Sequence, residues 1–241
     1  MKGELQVYPD ASALARAAAT HFVDLAHASI TLNRRFSVAL SGGETPQTMY
    51  RLLATPEFSH QIDWKYVHLF WSDERCVPSD HPDSNYGMAW KAFIDHVPIS
   101  MDNIHRILGE EDPIVAAETY EQDIKEHFKA ALPHFDLILL GLGEDGHTAS
   151  IFPGSSAATE TKRLAVAVQH PQSNQWRITL TLPALKGAAN IIFLVSGSSK
   201  AQILRIVRSG LFAPDECPAS AVAPIDGQLH WLADHDAFAN S

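Results

Sequence analysis

Cysteine is scarce in this 241-residue sequence: Cys76 and Cys217 are the only two, they lie far apart, and neither belongs to a CxxC pair. This spacing excludes a disulfide framework and a zinc knuckle, and it predicts a reducing compartment. The sequence also lacks the apolar segment of a signal peptide near its start. It has no apolar run of the roughly 18 residues that a membrane span needs. We therefore expect a cytoplasmic protein that does not enter a membrane.

Positive charge is also scarce, because 18 lysines and arginines face 28 acidic residues, which gives a net charge of −10. This balance argues against nonspecific binding to nucleic acid or to an anionic membrane. A few well-placed cations must therefore hold any anionic ligand. The 13 histidines include no HExxH or comparable spacing, so we predict no required metal and no cofactor. Nothing in the sequence indicates an obligatory protein partner.

The apolar segments predict an α/β fold. Nearly continuous apolar stretches, typical of buried strands in a parallel sheet, lie at residues 36–40, 67–71, 135–140 and 190–195. Two further stretches, at 164–168 and 176–182, are separated by a short polar turn and predict an antiparallel hairpin attached to the main sheet. No linker or repeat divides the chain. We therefore expect a single domain over residues 1–241.

Apolar residues at helical spacing predict helices at about 10–28, from residue 45 onward, and at about 200–209. Asp10 is the expected cap of the first helix. Thr45 followed by Pro46 is typical of a cap and a first helical position, so the second helix is expected to begin there. Gly210 is expected to end the third.

Polar loops follow four of the predicted strands, and ligands of open α/β sheets bind beyond the carboxyl ends of the strands. In the first loop, Ser41-Gly42-Gly43, two glycines expose backbone N–H groups before a helix, which suits a phosphate; a tight turn without a ligand is the alternative. In the last loop, Lys200 opposes the dipole of the helix that it begins, which a bound anion would explain. A solvated lysine is the alternative there, and Arg177 is similarly ambiguous.

The loop at residues 141–150 contains Asp145 and His147 among three glycines. A carboxylate at this spacing can orient an imidazole that acts as a general base. The loop also matches GxGxxG formally. We reject a dinucleotide site, because Glu144 and Asp145 would repel a pyrophosphate.

The loop after residue 71 contains Asp73, Glu74 and Arg75, which form either a solvated strand end or part of an active site. The adjacent Cys76 could act as a nucleophile if Arg75 lowered its pKa. The sequence offers no partner base for this thiol, so we interpret Cys76 as a bystander.

In their order along the chain and in their residue sequences, these loops resemble those of the 6-phosphogluconolactonases in the glucosamine-6-phosphate isomerase/6-phosphogluconolactonase family. The resemblance covers most of the chain, and its motifs lie at 41–43, 71–75, 84–86, 141–154, 177–183 and 197–200. It implies a Rossmann-like three-layer fold. It also implies hydrolysis of 6-phospho-D-glucono-1,5-lactone to 6-phosphogluconate in the oxidative pentose phosphate pathway.

The resemblance further implies roles for individual residues. The substrate phosphate would be held by Ser41, Gly42, Gly43, Arg177 and Lys200. The sugar pocket would be lined by Asp73 and Arg75, with His147 as the general base and Asp145 as its support.

Two other functions stay open. Glucosamine-6-phosphate deaminases typically continue the GlyHis loop with Ile-Ala-Phe-Asn-Glu-Pro, whereas this chain reads Thr-Ala-Ser-Ile-Phe-Pro at 148–153 and lacks the glutamate. Their Asp-Glu-Tyr is also replaced by Asp73-Glu74-Arg75. A noncatalytic sugar-phosphate sensor is the second alternative, but such sensors usually carry a DNA-binding module, for which this length leaves no room.

Overall fold

The computed structural model describes residues 3–213 and 215–239. In these residues the β-strands are β1 (Glu4–Tyr8), β2 (Phe36–Leu40), β3 (Val67–Trp71), β4 (Asp73–Arg75), β5 (Leu137–Leu140), β6 (Ala165–Gln169), β7 (Trp176–Leu180), β8 (Asn190–Val195) and β9 (Gln228–Asp234). The α-helices are α1 (Ala11–Asn33), α2 (Glu44–Leu53), α3 (Pro56–Ser59), α4 (Asn85–Ala92), α5 (Pro113–Phe128), α6 (Leu182–Lys186), α7 (Ala201–Ser209) and α8 (His235–Phe238).

Six strands form the central sheet in the order β1-β9-β8-β5-β2-β3, and every neighbouring pair is parallel. All residues of β2 and β5 are buried. Burial on both faces requires covering elements above and below the sheet, and it explains why these strands are almost continuously apolar. The predicted α/β fold with a mainly parallel sheet is confirmed.

The hairpin of β6 and β7 is antiparallel, as predicted, but it does not join the central sheet. It pairs instead with β4 and forms a separate antiparallel sheet in the order β4-β7-β6. Ser72 causes the separation: its N–H donates to Leu40 O at 2.8 Å, while its carbonyl accepts from Leu180 N at 2.8 Å. The chain therefore leaves the pairing with β2 at Ser72, directly after β3. The segment predicted to be a loop becomes β4, which pairs with β7.

Two of the three predicted helices differ from expectation at an end. The side chain of Asp10 caps α1 by accepting from Ala13 N, as predicted, but α1 continues to Asn33 and stops at a left-handed Arg34. The cap predicted at Thr45 is wrong, because α2 begins at Glu44, two residues before Pro46, and Gly43 is its N-cap. The third helix is confirmed as α7, preceded by a 3₁₀ turn at Ser198–Lys200.

The strands β1 and β9 and the helices α4 and α5 have no counterpart among the elements predicted from the sequence. The two strands lie at one edge of the sheet, and β1 has no fully buried residue. An edge strand with this exposure carries no continuous apolar signal. No helix in the described part of the chain is long and apolar enough to cross a membrane.

The central position of β5 leads to a stability prediction. Leu139 is fully buried in β5, whereas Leu32 on α1 is 81% exposed. Leu139→Ala should lower the free energy of unfolding by about 2–5 kcal/mol, because it removes buried methyl groups and leaves a cavity. The same change at Leu32 should alter it by less than about 0.5 kcal/mol. Urea unfolding measures both free energies, and equal losses would contradict the burial of Leu139.

Candidate active site

The loops after β2, β3, β5 and β8 meet at one edge of the central sheet and enclose a cleft of about 380 Å³. Parallel strands bring their carboxyl ends to the same edge, so segments distant in the sequence converge there. The cleft is lined by Ser41, Gly42, Gly43, Glu44, Thr45, Pro46, Asp73, Arg75, Asn85, Gly141, Leu142, Gly143, His147, Ala149, Leu194, Val195, Ser196 and Lys200.

Both glycines of the first loop are required by geometry. A Cβ at Gly42 would lie 2.0 Å from Oδ1 of Asn85, so this position admits no side chain. Gly43 has φ +106°, a conformation that glycine adopts readily, and it is the N-cap of α2. The buried Tyr50 fixes the turn, because its hydroxyl accepts from Ser41 N at 3.0 Å and donates to Ser41 O at 2.9 Å. The N-terminus of α2 is thereby directed into the cleft.

The loop after β5 holds a carboxylate against an imidazole. Oδ1 of Asp145 lies 2.6 Å from Nδ1 of His147 and also accepts from the backbone N–H of His147 at 3.1 Å. A turn closes the loop, in which Gly143 N donates to His147 O and Gly146 N to Gly143 O. Since Asp145 engages Nδ1, Nε2 is the ring nitrogen left for chemistry in the cleft.

Gly143 makes this pair possible. A Cβ at that position would lie 2.1 Å from Nδ1 of His147 and 2.7 Å from Oδ1 of Asp145. The ring of His147 also packs against Phe152 at 5.0 Å between centroids. The imidazole is therefore fixed by a hydrogen bond on one side and by an aromatic contact on another.

The hydrogen bond from His147 lowers the pKa of the Asp145 carboxyl to about 2, against a smaller opposing effect of burial. Asp145 is consequently ionised throughout the neutral range. An ionised carboxylate on Nδ1 requires that nitrogen to carry the proton, which fixes the tautomer with a free lone pair on Nε2.

Buried polar groups support the floor of the cleft. Asp73, 7% exposed, accepts from Ser150 Oγ at 2.6 Å, and its backbone carbonyl accepts from Asn85 Nδ2 at 2.9 Å. Oδ1 of Asn85 is buried and has no partner within residues 3–213 and 215–239. Asn85 itself lines the cleft, and its buried oxygen lies against the backbone of Gly42.

Two arginines lie directly opposite each other in the small sheet, where Arg75 of β4 pairs with Arg177 of β7. Nε of each is buried without a hydrogen-bond partner in the described part of the chain. Burial and then the charge of Arg75 lower the pKa of Arg177. Like charges directly opposite destabilise a strand pair, and an anion bound beside them would relieve that cost.

Lys200 enters the cleft from the loop after β8. Gly197 has φ +94°, and its N–H donates to Asp234 Oδ1 at 3.0 Å, which fixes the turn before Lys200. Nζ of Lys200 lies 3.9 Å from Oε1 of Glu144. Because that pair is long and partly exposed, it leaves the ammonium group available to a stronger anion.

Cys76 has none of the properties of a nucleophile. Burial, followed by the nearby Glu74 charge, raises the pKa of its thiol to about 11. The thiol therefore stays protonated at neutral pH and is a poor nucleophile.

Comparison with known proteins identifies the family. A family described as glucosamine-6-phosphate isomerases/6-phosphogluconolactonase matches residues 9–231. The chain belongs to this family. A 6-phosphogluconolactonase of Synechocystis is 41% identical over 85% of this chain and 84% of its own, and one of Haemophilus influenzae is 38% identical over 86% and 88%. The solved structure of 6-phosphogluconolactonase from Trypanosoma cruzi is 28% identical, with a TM-score of 0.86 over 99% of this chain and 96% of that one.

In this family member the tertiary structure brings together most of the site residues predicted from sequence. Ser41, Gly42, Gly43, Asp73, Arg75, His147 and Lys200 line the cleft. Asp145 is not among the lining residues, and it contacts His147 through Nδ1 of that ring. Arg177 is not among the lining residues and borders Arg75 instead. Asn85 lies in the motif at 84–86 but was not predicted as a site residue, because its approach to Gly42 depends on the fold.

The pair of Asp145 and His147 allows a titration test. In wild-type protein the Asp145 carboxyl should titrate near pH 2, and His147→Ala should raise its pKa toward the ordinary 3.8, since the hydrogen bond favours the charged form. Its contribution to stability is present above about pH 4 and is lost as the pH falls to about 2. Carboxyl ¹³C NMR follows this titration. The exposed His60→Ala serves as the control, and a wild-type value near 3.8 would contradict the geometry.

Proposed function

We propose that this chain hydrolyses 6-phospho-D-glucono-1,5-lactone to 6-phosphogluconate, the reaction of the oxidative pentose phosphate pathway. The observation that carries the proposal is an imidazole, oriented by an ionised carboxylate, that lines the same cleft as Lys200 and a glycine turn before a helix. The base and the anion-binding groups therefore face one ligand-sized space. The relatives named 6-phosphogluconolactonase, matched over more than four-fifths of the chain, support this substrate.

His147 acts as the general base in this proposal. Its Nε2 accepts a proton from a water molecule, whose oxygen attacks the lactone carbonyl carbon and forms a tetrahedral oxyanion. When the oxyanion collapses, the bond to the ring oxygen breaks and the imidazolium returns the proton to that oxygen. Asp145 stabilises the imidazolium in between, because its carboxylate already accepts from Nδ1–H. The lactone is an activated ester, so the step needs no protein nucleophile.

The oxyanion needs donors that are present before the reaction. Arg75 supplies a guanidinium that lines the cleft and is held by a 2.7 Å hydrogen bond from Nη1 to Asp83 O. The backbone N–H groups of Gly42 and Gly43 are a second set of donors. Asp73, which also lines the cleft, is the acceptor assigned to the sugar hydroxyls.

The phosphate is assigned to the cations and turns of the cleft. Lys200 and the turn at Ser41, Gly42 and Gly43 provide an ammonium group and helix N-terminal donors. Arg177 adds positive potential from its place beside Arg75. Because the phosphate is remote from the carbonyl carbon, its binding energy serves to position that carbon against His147.

Deamination of glucosamine 6-phosphate is the alternative within this family. That reaction opens a sugar ring and shuttles protons, for which those enzymes use a glutamate in the loop after the histidine. Residues 148–153 contain no carboxylate, and the ring nearest His147 in that segment is the apolar Phe152. The loop therefore favours hydrolysis.

Removing the base should abolish most of the activity. His147→Ala should lower kcat by roughly 10²–10⁴-fold with little change in KM, since the base acts in the transition state. Initial rates with fresh lactone, corrected for spontaneous hydrolysis, measure kcat and KM, with His60→Ala as the control. A wild-type kcat in His147→Ala would remove this residue from the mechanism.

Lys200→Ala should raise KM by roughly 10–100-fold, because a charge-assisted contact to phosphate is worth about 1.5–3 kcal/mol before and during the reaction. Arg177→Ala removes a charge beside Arg75 that does not line the cleft, so it should raise KM by less. The exposed Lys162→Ala should change little. On gluconolactone without a phosphate, the losses in the first two variants should disappear. Equal losses on the two lactones would assign these cations to another part of the substrate.

Product analysis distinguishes the candidate functions. The purified protein should release acid from 6-phosphogluconolactone and should release neither ammonia nor fructose 6-phosphate from glucosamine 6-phosphate. Binding cannot separate these reactions, because both substrates carry the phosphate. Ammonia release that requires His147, without faster lactone hydrolysis, would overturn the lactonase proposal. Loss of both activities would favour a sensor.

A further inference from the structure

Three histidines from separate segments meet near the amino-terminal end of β3, whereas the cleft lies at the carboxyl ends of the strands. His68 is the second residue of β3, His105 follows a 3₁₀ turn at Met101–Asn103, and His127 lies in the last turn of α5. Each offers one ring nitrogen, and the three nitrogens lie within 4.8 Å of one another. Their spacing in the sequence follows no metal motif, so only the fold brings them together.

The cluster has the hydrogen bonding of a metal-ligand set. Nδ1 of His105 lies 3.0 Å from both carboxylate oxygens of Asp123, so Nε2 is directed away from Asp123, toward Nδ1 of His68 at 3.2 Å. A histidine ligand commonly donates its second N–H to a carboxylate, which fixes the tautomer and strengthens the donor nitrogen. The ring of His127 is held in turn by a 2.8 Å contact between Nε2 and Ser37 Oγ.

The rings are also ordered by packing. Phe70 stacks on His105 with 4.1 Å between centroids and 2° between planes, and its edge contacts His127.

We propose that His68, His105 and His127 together bind one divalent transition-metal ion of the Zn²⁺ class. With Zn–N bonds of roughly 2.0–2.1 Å, tetrahedral geometry places the ligand nitrogens about 3.3 Å apart. The distances between the ligand nitrogens, at most 4.8 Å, therefore need to shorten by about 1.5 Å at most. Imidazole ligands favour Zn²⁺, Cu²⁺ or Ni²⁺ over Mg²⁺ and Ca²⁺, which prefer oxygen.

The charged residues around the cluster and the elements that it joins indicate a structural role for the ion. Arg35 opposes a cation here, and the Asp123 carboxylate offsets it. The ion would link β3, the segment before α5 and the end of α5, so it stabilises the fold. The cluster is at the other end of the strands from the cleft, and lactone hydrolysis does not need the ion.

Titration of tag-free, chelator-stripped protein with Zn²⁺ by calorimetry tests the proposal. Wild-type protein should bind one equivalent that His105→Phe and His127→Gln lose, and His105→Phe keeps an aromatic ring against Phe70. The exposed His96→Gln should retain that equivalent. So should His147→Gln, which separates this site from the cleft and from the proposed function. Binding of Co²⁺ should give the visible spectrum of a nitrogen-ligated ion in the same variants.

A conservative variant keeps the test valid if His105→Phe does not fold. Asp123→Asn, at a partly exposed position, should retain the circular dichroism of the wild type and weaken Zn²⁺ binding about 10–100-fold. The proposal is wrong if wild-type protein binds no Zn²⁺, if His105→Phe binds it with unchanged affinity, or if folded Asp123→Asn shows no weakening.

Discussion

Parallel pairing of β2, β3, β5 and β8 is the constraint on which the rest of the structure depends. It aligns the carboxyl ends of four strands, so their loops must share one edge of the sheet. A helix N-terminus, a carboxylate–imidazole pair and a lysine then face the same space. The same alignment places the amino-terminal ends of β2 and β3 together, where Ser37 and His68 contribute to the histidine cluster.

Close contacts between glycine backbone and neighbouring side chains fix the positions of polar groups in the cleft. At Gly42 and Gly143 the backbone approaches Asn85 and His147 so closely that a methyl group would collide. The two positions differ from Gly43 and Gly197, where the backbone angle itself favours glycine. Steric exclusion and backbone geometry therefore act at different glycines of the same cleft. Both kinds fix polar atoms before a ligand arrives, which lowers the cost of ordering them during a reaction.

Two arginines and a lysine lie at or beside the cleft of this acidic protein. The chain has a net charge of −10, yet Arg75 and Arg177 lie opposite each other and Lys200 lines the cleft beside them. Two like charges that destabilise the pairing of β4 and β7 in the absence of a ligand are expected at a functional site, where a ligand can supply negative charge.

The sequence by itself determined the fold class, four strands of the main sheet, α1, α7 and seven of the residues that line the cleft. It could do so because buried parallel strands are continuously apolar and because reactive loops follow directly at their ends. The pairing of Asp145 with His147 was also visible, since two residues of spacing keep them within one turn. Local signals of this kind need no knowledge of distant segments.

Only the tertiary structure decided the contacts between distant segments. Ser72 bonds to β2 and β7 at once, and this moves the hairpin of β6 and β7 into a separate sheet. Asn85 reaches the cleft because Gly42, 43 residues earlier in the chain, leaves room for it. His68, His105 and His127 become neighbours through the packing of α5 against the sheet. Such pairs have no periodicity or spacing in the sequence, because the three-dimensional path of the backbone sets their distances.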